Sequence, residues 1–178
     1  NIFTCKALGA ASEKGLDVKE IAKIGREIVA QTVTIGTSLD HCHVPGRPKK
    51  AEEWGALAEN ACEIGMGIHN EPGVKHLEQT PEPQVLIKEM LNYMLNQDDK
   101  DRAYVKFDKE DAPIVFVNNL GGVSQLEMGA IVDEALTQLG KYNGFNTERA
   151  LLIFPFISSR TRLQPFPLAR VLPHLHDL

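Results

Sequence analysis

At 178 residues, with 43% hydrophobic and 24% charged residues, the chain has the make-up of a soluble globular protein with one sizeable core. A formal net charge of -5, with no Lys/Arg stripe to oppose it, argues against nucleic acid as a partner. No apolar run approaches the ~18 residues of a membrane span, no signal peptide opens the chain, and Cys5, Cys42 and Cys62 read as reduced thiols of an intracellular protein.

In chain order, the first helix signal lies at Leu16-Asp17-Val18-Lys19-Glu20-Ile21. Asp17 is placed to cap it, Glu20 is the return half of a capping box, and Leu16 and Ile21 suit a hydrophobic staple. Ile21, Ile24, Ile28, Thr32 and Ile35 then keep helical spacing, which carries the helix to a stop at Gly36 and outweighs the strand character of Thr32 to Ile35. Residues 37–42 read as a strand entering a turn at Pro45-Gly46. Residues 63–68 read as a second strand, with His69 at its end and a turn through Asn70, Pro72 and Gly73 behind it. Thr80-Pro81 predicts another helix start, with Ile87, Met90, Leu91 and Met94 on one face.

Ile114-Val115-Phe116-Val117 has no alternation and reads as a buried strand. Gly121-Gly122 permits a turn of unusual backbone angles. Ser124 and Glu127 form a second capping box, followed by a helix with Met128, Ile131, Val132, Ala135 and Leu139 on one face and Gly140 at its stop. From Phe154 to Leu178, through Pro155, Pro165, Pro167 and Pro173, no helical or strand period survives. An altered reading frame, a retained intron or an alternative exon would each produce such a tail. The start at Asn1, without Met, reads as a fragment or processing boundary.

Three segments carry chemistry. In Gly65-Met66-Gly67-Ile68-His69-Asn70-Glu71-Pro72-Gly73, an imidazole stands on the lip of a tight turn. Histidine can be neutral, and so nucleophilic, at cellular pH. The bland reading is a hydrogen-bonded turn histidine. In Gly36-Thr37-Ser38-Leu39-Asp40-His41-Cys42-His43-Val44-Pro45-Gly46, His41 and His43 alternate and invite a metal. A closed site needs two more ligands, with only Cys62, His69 or His76 near in sequence, and a loop packed beside a cleft is the favoured reading. In Val115-Phe116-Val117-Asn118-Asn119-Leu120-Gly121-Gly122-Val123-Ser124, a glycine turn before a capped helix offers free amides to a phosphate. Without a Walker lysine, a plain strand-to-helix turn is favoured there.

Together, in this order and at these separations, the three segments resemble the dihydroxyacetone kinase family. Asp101-Arg102-Ala103-Tyr104-Val105-Lys106-Phe107 is most similar to the fungal single-chain enzymes. The resemblance covers roughly residues 4 to 151 and implies an α/β fold: a mixed sheet with flanking helices, the second half of a DhaK-type substrate-binding domain, incomplete at both ends. It leaves residues 152–178 as a divergent tail. It implies an enzyme that phosphorylates dihydroxyacetone or glyceraldehyde with ATP and Mg2+, both bound by a domain outside this chain. It further implies a cytoplasmic homodimer acting on a small keto-triose, with no nucleic acid, membrane or resident metal partner.

In that family the histidine of the Gly-Ile-His motif holds the substrate ketone as a covalent hemiaminal, which assigns this role to His69. Glu71 and Gly73 then shape the substrate cleft. A covalent bond to a carbonyl separates ketones from polyols and orients the hydroxyl to be phosphorylated. The base and nucleotide contacts fall outside the resemblance, so the chain alone is expected to be inactive as a kinase. A non-catalytic substrate-sensing or regulatory module, and an inert truncated product, are the alternatives.

Overall fold

The computed structural model describes residues 2–40, 57–67, 71–106, 114–141 and 151–153. The expectations for His41 and His43, for His69 itself and for the tail from residue 154 lie outside the described residues.

The chain begins with a helix that the sequence reading did not anticipate, α1 (Ile2–Glu13). Gly15, in the left-handed region at φ +82°, ends it: the Gly15 N–H donates to Ser12 O and the Leu16 N–H to Ala11 O. That paired pattern is the Schellman closure, which favours glycine because it has no Cβ. Asp17 then starts α2 (Val18–Ala30) with the expected capping box: its Oδ1 accepts from the amides of Lys19 and Glu20, and Glu20 Oε2 accepts from the Asp17 amide. Ala7 and Ala11 of α1 are buried against Ile24 and Ile28 of α2, with Phe3, Leu8, Leu16 and Ile21 around them.

The second helix stops at Ala30, short of the expected end at Gly36. Thr32 Oγ1 bonds back to Ile28 O at 2.5 Å, and the β-branched run Thr32-Val33-Thr34-Ile35 leaves the helix. Ile35 keeps the helical spacing by coincidence: it packs on a different cluster, with Cys62, Ile64 and Leu86. The period continues across two cores rather than along one face.

The strands β1 (Thr37–Ser38), β2 (Cys62–Ile64) and β3 (Lys75–Leu77) form an antiparallel sheet in that order. Ser38 pairs with Glu63, and Glu63 with His76. The strand expected over 63–68 is thus shorter and earlier. Gly65, at φ +80°, turns the chain out of it. The partner strand β3 was not anticipated; His76 and Lys75 disguise it as a polar loop.

The next helix, α3 (Pro83–Leu95), starts three residues after Thr80. Thr80 serves instead as a loop tie, with both its amide and its hydroxyl donating to Asn60 O. Pro83 takes the first turn, where a missing N–H costs nothing. This helix divides the interior. Leu86, Met90 and Tyr93 lie against Cys62 and Ile64 of β2, while Ile87, Leu91 and Leu95 meet Leu139, Ile131 and Ala135.

Those last residues belong to α4 (Gln125–Lys141), opened by the Ser124/Glu127 box: the Ser124 amide donates to Glu127 Oε2 at 2.7 Å and the Glu127 amide to Ser124 Oγ at 3.3 Å. Gly140 lies within the helix rather than stopping it. Before α4 comes β4 (Ile114–Phe116), which pairs in parallel with β5 (Leu151–Ile153). The expected burial of β4 is corrected: Ile114 and Val115 are half-buried and Phe116 is exposed. Val115 packs on the α3–α4 cluster. The chain is α/β, with one antiparallel and one parallel sheet among the described residues.

Candidate functional site

All three residues of β2 are buried, and the middle one is a carboxylate. Cys62 and Ile64 point to α3. Side chains alternate along a strand, so Glu63 points to the other face. The ten residues joining β2 to β3 close over it. Glu63 Oε1 accepts a hydrogen bond from the Gly73 amide at 2.8 Å. A Cβ on Gly73 would stand on Ile64 O and 2.8 Å from Glu63 Cγ, so only glycine lets the chain pass.

Three further bonds shape this connection. The Gly65 amide donates to Gly36 O at 2.7 Å, tying the outgoing leg to the residue before β1. The Val74 amide donates to Ile64 O at 2.8 Å, tying the returning leg to the end of β2. Inside these, the Gly67 amide donates to Glu71 O at 3.2 Å. A Cβ at Gly67 would lie 2.9 Å from Glu71 Cδ, a contact that the exposed Glu71 side chain can relieve by moving. His69 is the middle of the three residues between Gly67 and Glu71.

β2 ends at Ile64, five residues before His69 in sequence, and His69 itself lies outside the described residues. Glu71 is exposed, and Gly73 is half-buried at the neck. At the base of β3, Lys75 Nζ pairs with Glu89 Oε1 of α3 at 2.5 Å. The hydrogen bond that Lys75 donates to Glu89 raises the Lys75 pKa above its ordinary value. Glu63 is the residue that the sequence reading passed over. Its signal was a single charge inside the apolar run Ala61-Cys62-Glu63-Ile64, where a strand buried on both faces would carry none.

The second glycine turn resolves toward the plain reading. Asn119 Oδ1 takes the Gly121 amide at 2.8 Å, and its Nδ2 donates to Val123 O at 2.7 Å. Glu127 takes the Ser124 amide. Two of the amides that would face a phosphate are thereby spent on local side chains. Among the described residues, no group of three or more His, Cys, Asp and Glu is placed to hold a metal ion, and no helix is long and apolar enough to cross a membrane. Cys5 and Cys62 are free thiols.

The Dak1 domain family model matches residues 1–159. The chain belongs to the Dak1 domain family. It is 48% identical over 139 residues to dihydroxyacetone kinase 1 of Saccharomyces cerevisiae, covering 75% of this chain and 23% of the yeast protein. It is 43% identical over 150 residues to the dihydroxyacetone kinase of Komagataella pastoris, covering 78% of this chain and 25% of that protein. The crystal structure of the dihydroxyacetone kinase of C. freundii in its native form matches with a TM-score of 0.63 at 28% identity, over 86% of this chain and 25% of that one. Its complex with AMP-PNP and Mg2+ matches with a TM-score of 0.58 at 26% identity, over 84% of this chain and 25% of that one. The chain spans about a quarter of the length of the curated relatives it matches. The expected family and α/β fold class are both borne out, and the Dak1 match extends beyond the three motifs that first suggested it.

Proposed function

We propose that the chain is the ketone-holding part of an ATP-dependent dihydroxyacetone kinase. The observation that supports this reading is a Dak1 chain in which both described legs of the β2–β3 connection are pinned, with His69 midway between them in sequence. In the proposed step, the lone pair of one neutral imidazole nitrogen adds to the carbonyl carbon of dihydroxyacetone. The carbonyl π electrons move to oxygen, the ring's other N–H proton ends on that oxygen, and nothing leaves. The product is a hemiaminal that holds the terminal hydroxyl in place for phosphorylation. Glu71 and Gly73 serve as cleft-shaping residues. Glycerol has no carbonyl and escapes capture, which gives the selectivity for keto-trioses over polyols.

The relatives' names and the AMP-PNP and Mg2+ complex of the C. freundii enzyme support magnesium-bound ATP as the phosphoryl donor. Among the described residues no group of three or more His, Cys, Asp and Glu is placed for its metal, and the turn before α4 has its Gly121 and Ser124 amides taken by local side chains. No nucleotide contact is therefore assigned to this chain. Residues 1–151 form one lobe of the substrate-binding domain in this reading, with 152–178 as an appended tail. The enzyme is placed in the cytoplasm, in keeping with the free thiols Cys5 and Cys62.

The test is carbon NMR of dihydroxyacetone labelled at its carbonyl carbon, with the full-length protein that carries this chain. Capture turns the ketone signal into a tetrahedral one. His69→Ala should abolish that signal, and lower kcat/KM for phosphorylation by at least about a hundredfold, with the fold kept. An adduct that persists in the alanine variant would sink the assignment. Capture without phosphorylation would identify a substrate-sensing module.

A further inference from the structure

The buried carboxylate beneath the loop has no part in the capture chemistry. A carboxylate taken from water costs several kcal/mol unless hydrogen bonds replace the lost hydration. Glu63 is 7% exposed and is the only buried polar side chain among the described residues. A bond from an amide to a carboxylate is about twice as strong as one between neutral groups. The acceptor of that bond is held rigidly. Glu63 is paired with Ser38 on one side and His76 on the other, and its own carbonyl accepts from Thr37 Oγ1 at 3.1 Å. The donor, Gly73, lies on the returning leg of the loop, four residues after His69.

We infer that Glu63 is a positioning residue: its buried carboxylate clasps the Gly73 amide and thereby sets the returning leg of the loop that carries His69. The inference rests on the reading of His69 as the capturing residue, and deepens it. The clasp works with three backbone ties. Gly65 to Gly36 and Val74 to Ile64 bring the legs together, and Gly67 to Glu71 narrows the tip. The Glu63 bond joins a buried side chain of the sheet to the loop. The carboxylate adds a side-chain bond from β2 to the returning leg. It also accounts for Gly73, since any Cβ there would displace the Glu63 side chain.

The experiment compares Glu63→Gln and Glu63→Met in the full-length protein. Gln keeps an acceptor oxygen at the same reach; Met keeps the length and loses the acceptor. Hydrogen exchange of a peptide covering residues 65–74 reads the clasp. Carbon NMR of carbonyl-labelled dihydroxyacetone reads capture. Met should speed exchange in that peptide and weaken capture about tenfold or more, whereas Gln should restore most of both. Thr37→Val removes the neighbouring bond to the Glu63 carbonyl without touching Gly73, and should weaken capture per folded molecule clearly less than Glu63→Met does.

Unchanged exchange in the Met variant would overturn the clasp. Faster exchange with unchanged capture would overturn its positioning role. Equal losses of capture in Thr37→Val and Glu63→Met would overturn it too, by showing a general loss of structure. If the wild-type protein captures no ketone, the His69 reading fails, and the exchange comparison alone still decides whether Glu63 clasps the loop.

Discussion

At the turn over residues 65–74, beside the local Gly67–Glu71 bond, two hydrogen bonds reach out of the turn to the strands, from Gly65 to Gly36 and from Gly73 to Glu63. At the turn over residues 118–124 they span two to four residues, from Asn119 to Gly121 and Val123. Both turns follow a strand and both are rich in Asn and Gly. The first leaves a strand whose Cys62 and Ile64 are fully buried. The second leaves a strand that ends in exposed Phe116, and its Leu120 is 81% exposed. A turn closed by its own residues satisfies itself and presents nothing fixed to a ligand. A turn closed by distant residues inherits the rigidity of the sheet, which is what a covalent substrate contact requires.

The sharpest way to break this contrast is to add the same methyl group to each turn. Gly73→Ala should cost about 3 kcal/mol or more by forcing the chain off Ile64 O and Glu63 Cγ, and should weaken ketone capture at least about tenfold. Gly121→Ala meets no atom within 4 Å and bears only the strain of its φ of +110°. It should cost about 1–3 kcal/mol, with capture by the folded protein unchanged. Denaturant titration and carbon NMR check both variants. Equal effects on capture would erase the distinction between the turns.

Removing a local tie should do less. Ser124→Ala takes away half of the box that opens α4 and should cost about 1 kcal/mol, read as a lower denaturation midpoint at unchanged slope. A change in capture would show that the second turn reaches the site after all.

The smallest effect is one of acidity. The Ser124 amide, followed by the Ser124 hydroxyl, holds the Glu127 carboxyl below its ordinary 4.5. The folded state therefore binds this proton less readily than the unfolded state. The resulting stability is complete above 4.5 and is lost as pH falls through the lowered folded value. The stability difference between the wild-type protein and Glu127→Gln should thus be larger at neutral pH than below 4.5. A difference that grows on acidification would reverse the sign.

What could be read from the sequence followed the range of the interaction involved. The Asp17/Glu20 and Ser124/Glu127 boxes are complete within four residues, and both formed as read. The apolar face of α3 was legible because Ile87 and Leu91 repeat within one element. The end of α2 was not, because Ile35 extends the period of one core while packing in another. β3 was hidden, since Lys75 and His76 carry no strand signal without their partners Ile64 and Glu63. At the site, the Gly-Ile-His run pointed to the loop and to Gly73. The carboxylate beneath it was invisible because its partner lies ten residues away across a turn. A buried charge makes sense only once the amide it meets is known.

The full burial of Cys62 also makes the strand behind the loop a clock. Cys5, on the open side of α1, meets a thiol reagent at its chemical rate. Cys62 meets it only in the fraction of time that the sheet has parted. When closing is fast compared with labelling, the ratio of the two rates, mapped by mass, is the equilibrium constant for parting. On the proposed reading the ketone is held by the closed form, so saturating substrate should slow the Cys62 reaction and leave that of Cys5 alone.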